Sequence, residues 1–172
     1  EVNAADVAAA GIAGGDYVLL QHEIPLGTVQ AALTAARRAG AISLLNTAPF
    51  RKEAADFLGE ADYVIANETE FDLYAEALCL GGADRETRMR DFAETTGRTV
   101  VVTLGAEGVV AATPTDFLRA EGLTIDPVDT VGAGDTFCGY LAAGLASGLN
   151  LADALRRAAV AGSLACLKPG AQ

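Results

Sequence analysis

The sequence predicts an α/β layer fold built on a mainly parallel sheet, and three observations carry that reading. Short branched apolar runs alternate with helical patterns along the chain. Ala and Val dominate, and 19 glycines recur at intervals, which suits helices packed closely against a sheet. The 172 residues are enough for one domain with a sizeable core and short for two. No repeat, linker or hinge divides them, so 1–172 is read as a single domain.

The elements follow in order. Tyr17-Val18-Leu19-Leu20 reads as a buried strand. Pro25 suits the first turn of a helix running to about Ala39, which Gly40 ends. Ala41 to Leu45 forms the next strand, Lys52 to Leu58 a short helix and Tyr63-Val64-Ile65 a third strand. Asn67 can cap a helix beginning near Glu68, and Asp84 one running to Thr96. Thr99 to Thr103 and Val109 to Ala112 read as strands around the turn Gly105-Ala106-Glu107-Gly108, followed by an extended, irregular stretch from Phe117 to Ile125. Two helices, about 133–147 and 151–167, close the chain, separated by Gly148-Leu149-Asn150.

Composition excludes several partners. With 23 acidic residues against 12 basic ones the formal charge is -11, a field that repels a nucleic-acid backbone. ATP remains compatible, because backbone N–H groups and a divalent cation can build a phosphate site. Cys79, Cys138 and Cys166 are widely spaced in apolar, helix-like runs. They read as small buried hydrophobes in a reducing compartment. No apolar run approaches the ~20 residues needed to cross a bilayer, and no basic leader precedes a hydrophobic stretch. A membrane partner is not expected, and the cytoplasm is the expected location.

The most informative stretch is Asp129-Thr130-Val131-Gly132-Ala133-Gly134-Asp135, leading into Thr136-Phe137-Cys138-Gly139-Tyr140. Gly132 and Gly134 permit backbone angles closed to other residues and leave room for a ligand against the main chain. A helix starting there offers unpaired N–H groups that can hold a phosphoryl group. An aspartate at that place repels phosphate unless it has another task, and accepting the proton of an incoming hydroxyl is one. A plain helix cap is the competing reading of Asp135. The P-loop pattern GxxxxGK[ST] is absent.

The run from Asp129 to Gly139 resembles the C-terminal signature of the ribokinase-like (PfkB-type) carbohydrate kinases, most closely the ribokinase branch. Three further stretches agree in the same order: Gln21-His22-Glu23-Ile24-Pro25, Asn67-Glu68-Thr69-Glu70, and Val100 to Gly108. The resemblance implies a three-layer αβα sandwich and ATP-dependent phosphorylation of a primary sugar hydroxyl, ribose first. Fructose, a phosphosugar or a nucleoside is the alternative substrate, and a noncatalytic nucleotide-binding fragment the alternative function.

Residue by residue, the resemblance makes Asp135 the general base, also in contact with substrate, and Gly132, Ala133 and Gly134 its anion hole. Asn67 and Glu70 are three apart and can face one cavity if the chain turns helical. A Mg²⁺–water network is their implied role, and an N-cap followed by a first-turn acid is the structural alternative. Thr103 and Gly105, with Asn67 and Gly134, are placed at the nucleotide; Thr103-to-Gly108 on its own is equally a plain β-turn. Glu23 lies where a parallel sheet opens its ligand crevice, and the resemblance makes it a sugar-hydroxyl acceptor. His22, the only histidine, has no partner nearby in sequence and reads as a loop or interface residue. A K⁺ site is implied at Asp129, Val131, Cys166, Pro169 and Ala171. Ala159 stands where related kinases often carry a polar or ring side chain near the purine.

Enzymes of this family are substantially longer. Their lid strands, Gly-Gly-x-x-x-N stretch and early sugar-binding Asp have no match here. The isolated chain is therefore expected to be weak or inactive, with an apolar sheet edge and an uncovered helix face. A homodimer is expected of the full-length enzyme.

Overall fold

The structure, a computed structural model, describes residues 2–170. Helix α1 (Ala4–Ala9) precedes β1 (Tyr17–Gln21), α2 (Leu26–Ala39) and β2 (Ile42–Asn46). A 3-10 segment, Lys52–Glu60, leads to β3 (Tyr63–Asn67), α3 (Glu68–Ala77), α4 (Arg85–Thr96) and β4 (Thr99–Thr103). Strands β5 (Val109–Ala112) and β6 (Phe117–Ala120) follow, then α5 (Ala133–Ala146) and α6 (Leu151–Ala165).

The six strands lie in sequence order, β1 to β4 parallel and β5 and β6 antiparallel. Right-handed crossovers between parallel strands that advance in one direction must all fall on one face. Accordingly α2, the 3-10 segment, α3 and α4 share one core with Leu45, Val64, Val100, Val102 and Val110. The opposite side chains, Leu44, Ile65, Val101 and Val109, pack with Phe137, Leu141 and Leu155 of α5 and α6. Both faces are covered, which is why β4 reads as an unbroken valine run rather than an alternation. Three layers result.

Small residues let α5 and α6 approach closely. A methyl built on Gly144 would lie 3.3 Å from the Ala154 side chain, and one on Gly162 3.3 Å from the Ala133 carbonyl. The expected uncovered surfaces are both present: β1 is an edge strand with Leu19 42% exposed, and Tyr140 and Leu164 stand 45% and 49% exposed on the final helices.

Several expectations are corrected. Pro25 stands outside α2 as its cap, with ψ 132°, because its ring fixes φ but leaves ψ free to turn the chain in. The Lys52 helix is 3-10 and reaches Glu60. Phe117–Ala120 is a regular strand paired with β5, so only the stretch after it is irregular, and the last helix stops at Ala165. Cys138 and Cys166 are buried, but Cys79 is exposed and left-handed just past α3, at φ 53°. His22 is in a turn, as expected, yet only 1% exposed. Among the described residues, no helix is long and apolar enough to cross a membrane.

Candidate active site

The parallel register brings the singled-out residues to one edge of the sheet. Gln21 pairs with Asn46, Asn46 with Ile65, and Asn67 with Thr103. The segments leaving β1, β3 and β4 at their carboxyl ends carry Glu23, Glu70 and Gly105, where open α/β sheets place ligands. Helix α5 reaches the same edge from the opposite layer. Tyr17 Oη, at the start of β1, donates to the Leu145 carbonyl at 3.2 Å, so the end of α5 lies over the amino ends of the strands. Its 14 residues span about 21 Å, more than the ~17 Å of a five-residue strand. The start of α5 therefore stands at the carboxyl edge.

At that start Gly132 is left-handed, φ 78°, and forms the N-cap without a side-chain bond. The Ala133 N–H is spent on the Thr130 carbonyl at 3.3 Å and the Thr136 N–H on the Gly132 carbonyl at 2.9 Å. Among the described residues the N–H groups of Gly132, Gly134 and Asp135 have no acceptor. Ala133 is thus removed from the expected set of anion donors. Among the described residues a methyl on Gly134 would meet nothing within 4 Å, so packing against them does not explain that glycine. Asp135 is the third helical residue, not the cap. It is exposed, and among the described residues its carboxylate accepts no hydrogen bond.

Asn67 and Glu70 form a reciprocal capping box: Asn67 Oδ1 accepts from the Glu70 N–H at 2.8 Å and Glu70 Oε2 from the Asn67 N–H at 3.0 Å. The structural alternative is therefore real, and it still leaves Glu70 Oε1 open. No group of three or more acidic, histidine or cysteine side chains that could hold a metal occurs among the described residues. One carboxylate and an amide fit Mg²⁺, which keeps several waters and takes phosphate oxygens for the rest. Arg85, unnoticed in the sequence, braces this helix start: Nη1 donates to Glu68 at 2.8 Å and Nη2 to Asp72 at 2.9 Å. Its only sequence signal is its place directly after the Asp84 cap.

The Cys138 thiol, between the layers, is pushed up to about 12, by burial first and then by the negative charges of Asp135 and Glu70. Both carboxylates sit on first turns assigned to the carboxyl edge, Glu70 on α3 and Asp135 on α5.

Thr103 donates weakly to the Ala66 carbonyl at 3.5 Å. Gly105 is left-handed at φ 56° with open space where a side chain would stand, whereas a methyl on Gly108 would overlap the Ala120 carbonyl. Gly105 is left free for a ligand, and Gly108 is needed by the strand turn. Glu23 is exposed and accepts from Gln21 Nε2 at 3.0 Å. Beside it lies the end of β2, Asn46 and Thr47, which the sequence reading passed over; the register with Gln21 and the Asn-Thr-Ala-Pro turn were the available signals.

The proposed potassium loops meet, but they bond to each other. The Cys166 carbonyl accepts the Val128 and Asp129 N–H groups at 2.8 and 3.2 Å. Asp129 Oδ1 and Oδ2 accept from Val131 and Gly170 at 3.0 and 2.9 Å, contacts that hold its carboxyl below the usual range. Both lone-pair directions of the Cys166 carbonyl are engaged, which removes it as a ligand, whereas each Asp129 carboxylate oxygen keeps one acceptor direction and, among the described residues, the Val131 and Pro169 carbonyls in the same loops accept no hydrogen bond. Ala171 lies outside the described residues. Ala159 is 7% exposed and packs in the α5–α6 core. The face of α6 that opens on a groove of about 730 Å³ carries Val160 and Leu164 instead, so Ala159 offers that groove nothing.

The chain matches the family described as pfkB family carbohydrate kinase over residues 2–172. It belongs to that family. Among its pfkB relatives is a ribokinase of Staphylococcus aureus, 32% identical over 172 residues, which takes in 99% of this chain and 55% of the relative. A Thermotoga maritima ribokinase structure superposes with a TM-score of 0.82 at 28% identity, covering 91% of this chain and 52% of that one. An Arabidopsis thaliana ribokinase, solved in complex with ribose and ATP, gives a TM-score of 0.75 at 29% identity over 90% of this chain and 51% of that one. The chain spans about half the length of these relatives.

Proposed function

We propose that this chain carries the nucleotide and catalytic-base part of a kinase that transfers the γ-phosphoryl group of ATP to the primary hydroxyl of ribose, giving ribose 5-phosphate and ADP. One observation carries the reading: an exposed carboxylate, Asp135, with no partner among the described residues, stands on a glycine-lined helix start where the N–H groups of Gly132, Gly134 and Asp135 are unclaimed among the described residues. Relatives named ribokinase support ribose as the acceptor.

In this reading Asp135 takes the proton of the hydroxyl as its oxygen attacks the γ-phosphorus and the bond to ADP breaks. The N–H groups of Gly132, Gly134 and Asp135 bind the oxygens on which charge builds. Gly105 lets the nucleotide approach the backbone, with Thr103 beside it, and Glu23 accepts a sugar hydroxyl. Asn67 and Glu70 would hold the waters of Mg²⁺, which when bound offsets phosphate charge. Asn67 lies next to the nucleotide through the same edge.

The test is a product assay on the protein expressed from its whole reading frame, with ATP, Mg²⁺ and a panel of ribose, fructose and nucleosides. The expected result is ADP formed in step with ribose 5-phosphate. ADP release that is as fast without any acceptor would overturn the reading. The 172-residue chain alone is expected to turn over weakly or not at all.

A further inference from the structure

His22 has an environment that neither a loop residue nor a general base requires. It sits between Gln21, the last residue of β1, and the exposed Glu23, yet is 1% exposed itself. Its backbone N–H donates to the Ala48 carbonyl at 3.0 Å. Its Nδ1 lies 3.1 Å from the Thr47 carbonyl, 3.3 Å from the Pro49 carbonyl and 3.3 Å from Tyr74 Oη. Carbonyls only accept, so Nδ1 must carry the proton. Tyr74 agrees, because its single hydroxyl proton goes to the Arg51 carbonyl at 3.0 Å while its oxygen accepts the Arg51 N–H at 3.0 Å.

The other nitrogen, Nε2, is buried with no partner among the described residues. The rings of Phe57 and Tyr74 stand edge-on at 6.4 Å. A second proton on Nε2 would put a charge there with nothing to accept its bond. Burial lowers the imidazole's affinity for that proton, and the nearby Arg51 lowers it further. The geometry suits His22 as a neutral donor through Nδ1.

That donor joins three elements at the carboxyl edge. It fixes the turn that presents Glu23 to the segment leaving β2, and through Tyr74 it fixes both to α3. Tyr74 lies four residues after Glu70 on that helix, one turn away on the same face.

We propose that His22 is a positioning residue for the kinase reaction: it pegs the Glu23 turn to α3, so that the sugar-binding carboxylate and the Asn67–Glu70 pair keep a fixed separation. This rests on the sugar role given to Glu23 above.

The test compares His22→Leu, which keeps apolar volume and loses the donor, with His22→Asn, whose amide nitrogen replaces Nδ1. In the protein from the whole reading frame, His22→Leu is expected to raise the KM for ribose about tenfold, with the KM for ATP and kcat moving less than about twofold. His22→Asn is expected to recover most of the ribose KM. Equal losses in both variants, or a ribose KM that moves in neither, would overturn the proposal. If His22→Leu fails to fold, Tyr74→Phe removes the link to α3 while keeping the ring, and is expected to raise the ribose KM alone by a smaller factor.

Amide exchange in the 172-residue chain separates the peg from the sugar role. Faster exchange at Arg51, whose N–H donates to Tyr74 Oη, is expected in His22→Leu than in His22→Asn, and unchanged exchange sinks the peg itself. Absence of ribose phosphorylation in the unsubstituted enzyme removes the sugar role, and this proposal with it, whatever the exchange shows.

Discussion

Asp135→Asn is expected to lower turnover by on the order of 10³-fold, inside the range found for removing a general base, while ATP affinity stays within about twofold. The asparagine keeps the size and polarity of the side chain and loses only the capacity to take a proton. The competing role for an acid in the first turn of α5 is favourable interaction with the helix dipole, worth about 0.3–1 kcal/mol of stability. That role predicts a small shift in unfolding midpoint and almost no change in kcat. The carboxylate makes no hydrogen bond among the described residues, so its loss should leave the fold intact. Steady-state kinetics with a urea melt on the same preparation decides the matter. Normal turnover in Asp135→Asn would remove Asp135 from the chemistry.

Gly134→Ala is expected to separate stability from activity in the opposite sense. Nothing lies within 4 Å of a methyl at this position, and the residue is helical without a positive φ. Alanine is the better helix former by about 0.8–1.0 kcal/mol, so the variant should be as stable as the parent or more so. The same methyl would occupy the space a phosphoryl group needs to reach the N–H groups of Gly134 and Asp135. Loss of one such donor typically costs about 10²-fold or more in kcat. A variant both more stable and about 10²-fold slower is the expected result. Gly134→Ala with full activity would show that no phosphate approaches this backbone.

The readable parts of the molecule were those set by local chemistry. Gly40 ends α2 in left-handed conformation at φ 73°, and Asn67 and Asp84 cap α3 and α4 as their side chains allow. The strands of the parallel sheet could be found because both of its faces are buried, which writes them as branched apolar runs. The turn before Asp135 was equally legible, since only glycine suits Gly132 at φ 78°. Pairings across long sequence separations could not be read. The partners of His22 lie 25, 27 and 52 residues away, so a residue that looked like a loop histidine proved to be interior. The loops at Asp129 and Cys166 were expected to meet around an ion. They do meet, but hydrogen-bond directions decide what their carbonyls can hold, and those depend on φ and ψ rather than residue type. Ala133 fell out of the anion-donor set for the same reason: its N–H points to Thr130.

The central claim is spatial: the γ-phosphate lies between Asp135 on one layer and Asn67 with Glu70 on the other. The most direct measurement is an amide NMR spectrum of the 172-residue chain titrated with Mn²⁺·ATP, whose unpaired electrons broaden nearby signals. Selective loss of the Asn67, Glu70, Gly105, Gly134 and Asp135 amides is the predicted result. Broadening of only one of the two layers, or of the groove beside Arg156 and Lys168 while these signals stay sharp, would contradict it.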